Sequence, residues 1–152
     1  MSTIHLTQAT TLTPEQYVAG LTDFGPGRSK VFSNSADADL VVHSVQGTTA
    51  DVTEGSGGIW ERLHYDWSDP KRVVLQTTDS NTWSNASGYL YTFPRSSDGK
   101  TEVHVDIVRK GKTFKGHVLA LVLGTVGRGV LKKSFVNSVK AIEARNRGAQ
   151  VR

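Results

Sequence analysis

The chain contains no cysteine and one methionine in 152 residues. Without thiols there is no disulfide framework, zinc knuckle or thiol nucleophile, and a reducing compartment, the cytoplasm, is the expected location. Long apolar runs are also missing. The longest, Val118 to Leu123, is six residues, against the ~20 that a membrane-spanning helix needs. The opening "MSTIHLTQATTL" has no basic run and no apolar stretch of signal length, so a soluble protein is expected. Catalytic signatures are absent as well: there is no G-x-S-x-G elbow. The glycines at 124, 127 and 129 run in the reverse order of a dinucleotide fingerprint and lie within a helical pattern.

Acidic residues are scarce in one part only. Residues 1–108 hold seven Lys/Arg against thirteen Asp/Glu, whereas 109–152 hold eleven against one, giving −6 and +10. Such asymmetry suits either a basic helix lying over an acidic sheet or a surface for anions. Arg109, Lys110, Lys112 and Lys115 form a basic cluster, but no aromatics interleave with them for base stacking, which argues against nucleic acid.

With 37% apolar and 21% charged residues, the composition is globular. It predicts one domain over 1–147 and a short basic tail at 148–152. A strand over Thr3–Leu12 precedes "TPEQYVAGL", a helix start with Thr13 as N-cap, Pro14 at the first helical position and Gln16 closing a capping box. "FGPGRSKVF" ends that helix and begins a second short one. Period-two patterning then predicts strands at Asp39–Gln46, Thr48–Glu54, Ile59–Trp67, Lys71–Asp79, Ala86–Pro94 and Thr101–Lys110, separated by turn residues. A long helix over Phe114–Arg145, ending before Gly148, completes the pattern.

Seven antiparallel strands and one long helix bury their apolar faces together when the sheet curls around the helix. Strand parity points Glu61, Leu63, Tyr65 and Trp67 inward, with Leu75 and Thr77, Val105 and Ile107, and Tyr89 and Tyr91. On the closing helix, Leu131, Phe135, Ser138 and Ile142 share one face. Continued backwards, that stripe passes through Gly127, Gly124, Ala120 and His117, and its shrinking bulk leaves either a pocket or a place of close helix–sheet approach. Trp83 sits in a hairpin loop that covers one cavity mouth. Glu61, alone among apolar neighbours, is a candidate general acid/base or polar anchor, with Tyr65 and His117 as further catalytic candidates. His64/Asp66 and His104/Asp106 have metal-ligand spacing, but they lie on the outer face of strands three places apart, so no metal site is expected.

The motifs "LTPEQYVAGLTDF", "DWSDPKRVV" and "LKKSFVNSVKAIEAR", in this order of elements, resemble the helix-grip fold of the START-like (SRPBCC) superfamily. That superfamily includes the birch-pollen-allergen-like proteins and the polyketide cyclase/dehydrase family. The resemblance covers nearly the whole chain and implies an α+β fold with a cavity between sheet and C-terminal helix that accepts a hydrophobic or aromatic small molecule. The leading expectation is carriage or sensing of a lipid-like or aromatic small molecule, without a cofactor, by a monomer or dimer. The alternatives are a cyclase/aromatase- or hydratase-like enzyme using an acid in the same cavity, and a module binding protein or membrane surfaces through its basic helix face.

Overall fold

The computed structural model describes the backbone of residues 1–151 and the side chains of residues 1–148. Strand β1 (Ser2–Thr10) leads through helix α1 (Pro14–Leu21) and two 3-10 turns, Arg28–Lys30 and Asp37–Asp39, into the meander. Its strands are β2 (Val41–Gln46), β3 (Thr49–Ser56), β4 (Ile59–Asp66), β5 (Arg72–Ser80), β6 (Gly88–Thr92) and β7 (Thr101–Arg109). Helices α2 (Phe114–Gly124) and α3 (Arg128–Val151) close the chain. The seven strands form one antiparallel sheet in the order β1-β7-β6-β5-β4-β3-β2, so the first strand is brought beside the last. This is the α+β helix-grip architecture, with strand ends within two residues of the expected ones; the second short helix is replaced by tight 3-10 turns.

Local chemistry accounts for the elements. Thr13 Oγ1 accepts from the Gln16 amide at 3.2 Å and Gln16 Oε1 accepts from the Thr13 amide at 2.9 Å, the reciprocal box that starts α1. In the strands, alternate residues enter the core: Leu63 and Tyr65, Val73 and Leu75, Val103, Val105 and Ile107 are all buried. Opposite β4, a bulge at Thr78 shifts the β5 register, since Arg62 faces Asp79 but Leu63 faces Thr77. The shift turns both Thr77 and Ser80 inward.

Helix α3 lays Phe135, Ser138, Val139 and Ile142 into the sheet, each large apolar side chain stabilising by about 1.5–3 kcal/mol. Helix α1 crosses it closely: a Cβ on Gly20 would lie 2.8 Å from Ile142 Cδ1. The expected single helix from Phe114 to Arg145 is instead two, whose axes differ by 75°. Three glycines within six residues each lower helix propensity by about 0.8–1 kcal/mol, and the Thr125 hydroxyl takes the Leu121 carbonyl at 2.9 Å where the ladder breaks. At the other end α3 continues past Gly148 to Val151, so the expected tail is helical there; Arg152 lies outside the described residues.

Candidate functional site

Between the sheet and α3 lies a cavity of about 260 Å³, just below the ~300–1,000 Å³ range of small-molecule sites. Its walls are Leu63 from β4, Tyr89 and Tyr91 from β6, Val105 and Ile107 from β7, Tyr17 from α1, and Leu131 and Phe135 from α3. Trp83 and Trp60 stand on it too, the first buried and the second half out in solvent at the rim. A small recess shares Phe32, Glu54, Tyr89 and Tyr91 with this cavity and reaches inward to Tyr65 and Leu75.

Two carboxylates face this space, each neutralised by its own buried arginine. Glu61, on β4, accepts from Arg109 Nη1 at 3.1 and 3.2 Å and from Thr77 Oγ1 at 2.9 Å. The Arg109 guanidinium is sandwiched between the rings of Trp83 and Tyr89, 4.9 and 4.8 Å from their centroids. β4 and β7 are separated by two strands, about 14 Å in a flat sheet at ~4.8 Å per strand. Their long inward-facing side chains meet across the inner face of the curved sheet, with the Arg109 guanidinium over the Tyr89 ring. Glu54, on β3, accepts from Arg28 Nε at 2.7 Å and from the Tyr65 hydroxyl. Arg28 also donates to the carbonyls of Leu21 and Asp23, at 2.9 and 2.7 Å, and to Tyr65 Oη at 3.1 Å.

Burial pushes the phenols of Tyr17, Tyr65, Tyr89 and Tyr91 above their usual 10.0, and for Tyr65 the Glu54 charge adds to the rise. All four are therefore neutral donors at pH 7. Three buried polar atoms have no partner among the described residues, Arg109 Nη2, Tyr17 Oη and Ser35 Oγ, and the first two belong to residues that line the cavity. Buried donors are rarely left unpaired, because each costs about 1–3 kcal/mol. The row Tyr17, Tyr91, Tyr89, with centroids 5.9 and 6.5 Å apart, leads from one donor to the ring beneath the other.

The structure thus brings Glu61, Leu63, Trp83, Tyr89, Tyr91, Val105 and Ile107 to the cavity. It leaves other expected residues elsewhere. Tyr65 and Leu75 belong to the recess, Thr77 braces Glu61 from behind, and Trp67 packs on the core at the far end of β4. His117 is exposed on the first turn of α2. Ala120 and Gly124 face β1, not the cavity: the Ser2 hydroxyl donates to the Ala120 carbonyl at 2.6 Å, and a Cβ on Gly124 would meet that hydroxyl at 2.6 Å. Gly127 sits at the bend. The 75° turn is the physical reason, since it breaks the stripe that a straight helix would carry along one line. Arg109 is likewise no part of a surface basic cluster; it is buried against Glu61. Its signal was present in the parity of 103, 105, 107 and 109, as was that of Glu54 with Ala50 and Val52. Arg28, in a 3-10 turn, had none. His104 pairs with Glu102 and Asp106 with His5, on the sheet's outer side.

No family model matches the sequence, and no curated protein sequence matches it. Solved structures do. A protein from Thermus thermophilus superposes with a TM-score of 0.69 at 12% identity, covering 97% of this chain and 98% of that one. A START superfamily protein from Mycobacterium smegmatis gives 0.68 at 9% identity, covering 93% and 99%. The Zhui aromatase/cyclase from Streptomyces sp. R1128 gives 0.67 at 12% identity, covering 97% and 96%.

Proposed function

With the START-like helix-grip fold as premise, we propose that this chain binds a small, ring-containing apolar molecule that carries a neutral oxygen acceptor such as a ketone or amide carbonyl. The observation that carries this reading is the pair of unpartnered donors, Arg109 Nη2 and Tyr17 Oη, in a cavity otherwise walled by rings and aliphatic groups. A carbonyl satisfies such a donor. A carboxylate would bring a charge into a space whose two acids and two arginines already cancel, and an uncompensated buried charge is expensive.

An enzyme of the cyclase/aromatase or hydratase kind would need Glu61 free to move a proton. Its carboxylate oxygens are occupied by Arg109 and Thr77, which suits it to orienting the guanidinium. The test is a matched set of guests: 2-acetylnaphthalene, 2-ethylnaphthalene and 2-naphthoate, titrated by calorimetry. The ketone is expected to bind about tenfold or more tightly than the hydrocarbon, as for a hydrogen bond to a charged donor. Leu131→Trp, which fills the cavity from α3, should abolish binding of ketone and hydrocarbon alike. Equal affinity for ketone and hydrocarbon, or uptake unchanged by Leu131→Trp, overturns the reading.

A further inference from the structure

Helix α2 has its polarity reversed. At 100° per residue, Phe114, Val118, Leu121 and Val122 fall within about 100° of one another, and Gly116, Ala120 and Gly124 lie on the opposite side. In a helix covering a core the bulky stripe faces in. Here the small residues face in and the bulky ones face water. Phe114 is 85% exposed and Leu121 67%. The apolar surface continues around the bend through Val126, 84% exposed, and Val130, 71%.

The close approach on the inner side explains the arrangement sterically: a Cβ on Gly116 would meet the Thr82 carbonyl oxygen at 2.4 Å. It does not explain why the outer side is apolar, since polar residues there would cost the fold nothing. Contiguous exposed apolar surface of this kind marks an interaction site.

The surrounding charge points to the partner. Lys110, Lys115, Arg128, Lys132 and Lys133 are exposed around this elbow, and none forms an ion pair among the described residues. The one acid beyond residue 108, Glu143, lies on α3 and is held by the Thr10 hydroxyl at 2.7 Å. A second copy docking through the same face would oppose these cations to themselves. An anionic lipid surface satisfies both features, with apolar side chains entering the headgroup boundary while lysines and arginines contact phosphate. We infer that the α2–α3 elbow, from Phe114 to Val130, docks the protein onto anionic membrane surfaces. At 11 residues α2 is too short to cross a bilayer, so it lies on the surface. This inference does not rest on the cavity reading, and either can fail alone.

The test is co-sedimentation of the full chain with vesicles of phosphatidylcholine alone or mixed with phosphatidylglycerol. Retention on the mixed vesicles is expected to be about tenfold stronger or more, and to fall as salt rises from about 0.05 to about 0.5 M. Leu121→Glu and, separately, Phe114→Ser should each reduce it by about tenfold with unchanged circular dichroism, whereas Val45→Glu on the exposed strand β2 should leave it intact. Equal retention on neutral vesicles overturns the inference, as does full retention of both elbow variants. So does a dimer in sedimentation velocity that Leu121→Glu dissolves while vesicles are ignored, because the face then serves self-association.

Discussion

Arg109 and Glu61 show how much depends on a single buried contact. Each side chain is nearly inaccessible, and removing one leaves the other charged and unpaired in a space of low polarity. Arg109→Leu is therefore expected to lower stability by about 3–5 kcal/mol in urea denaturation. The double variant Glu61→Leu/Arg109→Leu should recover most of that loss, since replacing a whole buried pair by apolar groups is often neutral or better. If the double variant is no more stable than the single, the pair is not what holds this end of the sheet.

The three buried tyrosines and the half-buried Tyr89 carry a pH signature at the same scale. Their pKa values are raised in the folded chain above the ordinary 10.0. The folded state then binds more protons than the unfolded one above pH 10, so stability falls as pH rises through that value. The urea midpoint should hold steady from about pH 7 to about pH 9 as far as these groups are concerned, then drop. Phenolate absorbance should appear together with loss of the fold. Ionisation of all four at pH 10 in a fully folded chain would contradict the burial that sets them.

At the scale of elements, the glycines in and just before the closing helices divide into two kinds. Gly111 and Gly116 sit where α2 meets the loop before β6: a Cβ on Gly111 would come within 2.1 Å of the His117 nitrogen, and one on Gly116 within 2.4 Å of the Thr82 oxygen. Gly129 has nothing within 4 Å of where its Cβ would be. Gly116→Ala should destabilise by about 1–3 kcal/mol through backbone displacement. Gly129→Ala should stabilise by about 0.5–1 kcal/mol through helix propensity alone. Thermal unfolding of the two variants side by side checks the sign of each. The sequence could not separate these cases, because it orders glycines by spacing, and steric room exists only relative to a neighbouring element.

Over the whole molecule, the bend between α2 and α3 assigns the two parts of the closing segment to different tasks. α3 beyond the bend roofs the cavity with Leu131 and Phe135, while α2 lies along β1 and turns its bulky side outward. Straightening the segment would move Leu123, which also lines the cavity. Thr125→Ala/Gly127→Ala, which favours a continuous helix, is accordingly expected to weaken binding of 2-acetylnaphthalene by about tenfold while raising helix content in circular dichroism. A rise in helix content with unchanged affinity would separate the bend from the cavity.

What the amino-acid order determined by itself was periodic: the capping box at Thr13, the alternation that places Leu63, Val105 and Ile107 inside, and the turn residues that end each strand. These depend on neighbours a few positions away, and such contacts recur with the repeat of the helix or strand. The pairing of Arg28 with Glu54 and of Arg109 with Glu61, the bulge at Thr78 and the 75° elbow were decided only by the tertiary structure. They arise where residues 26 and 48 positions apart meet, and where a weak helix yields to the strand beneath it. Local pattern carries no record of such distances. The cavity is bounded by those long-range meetings, so its position follows from the packed chain.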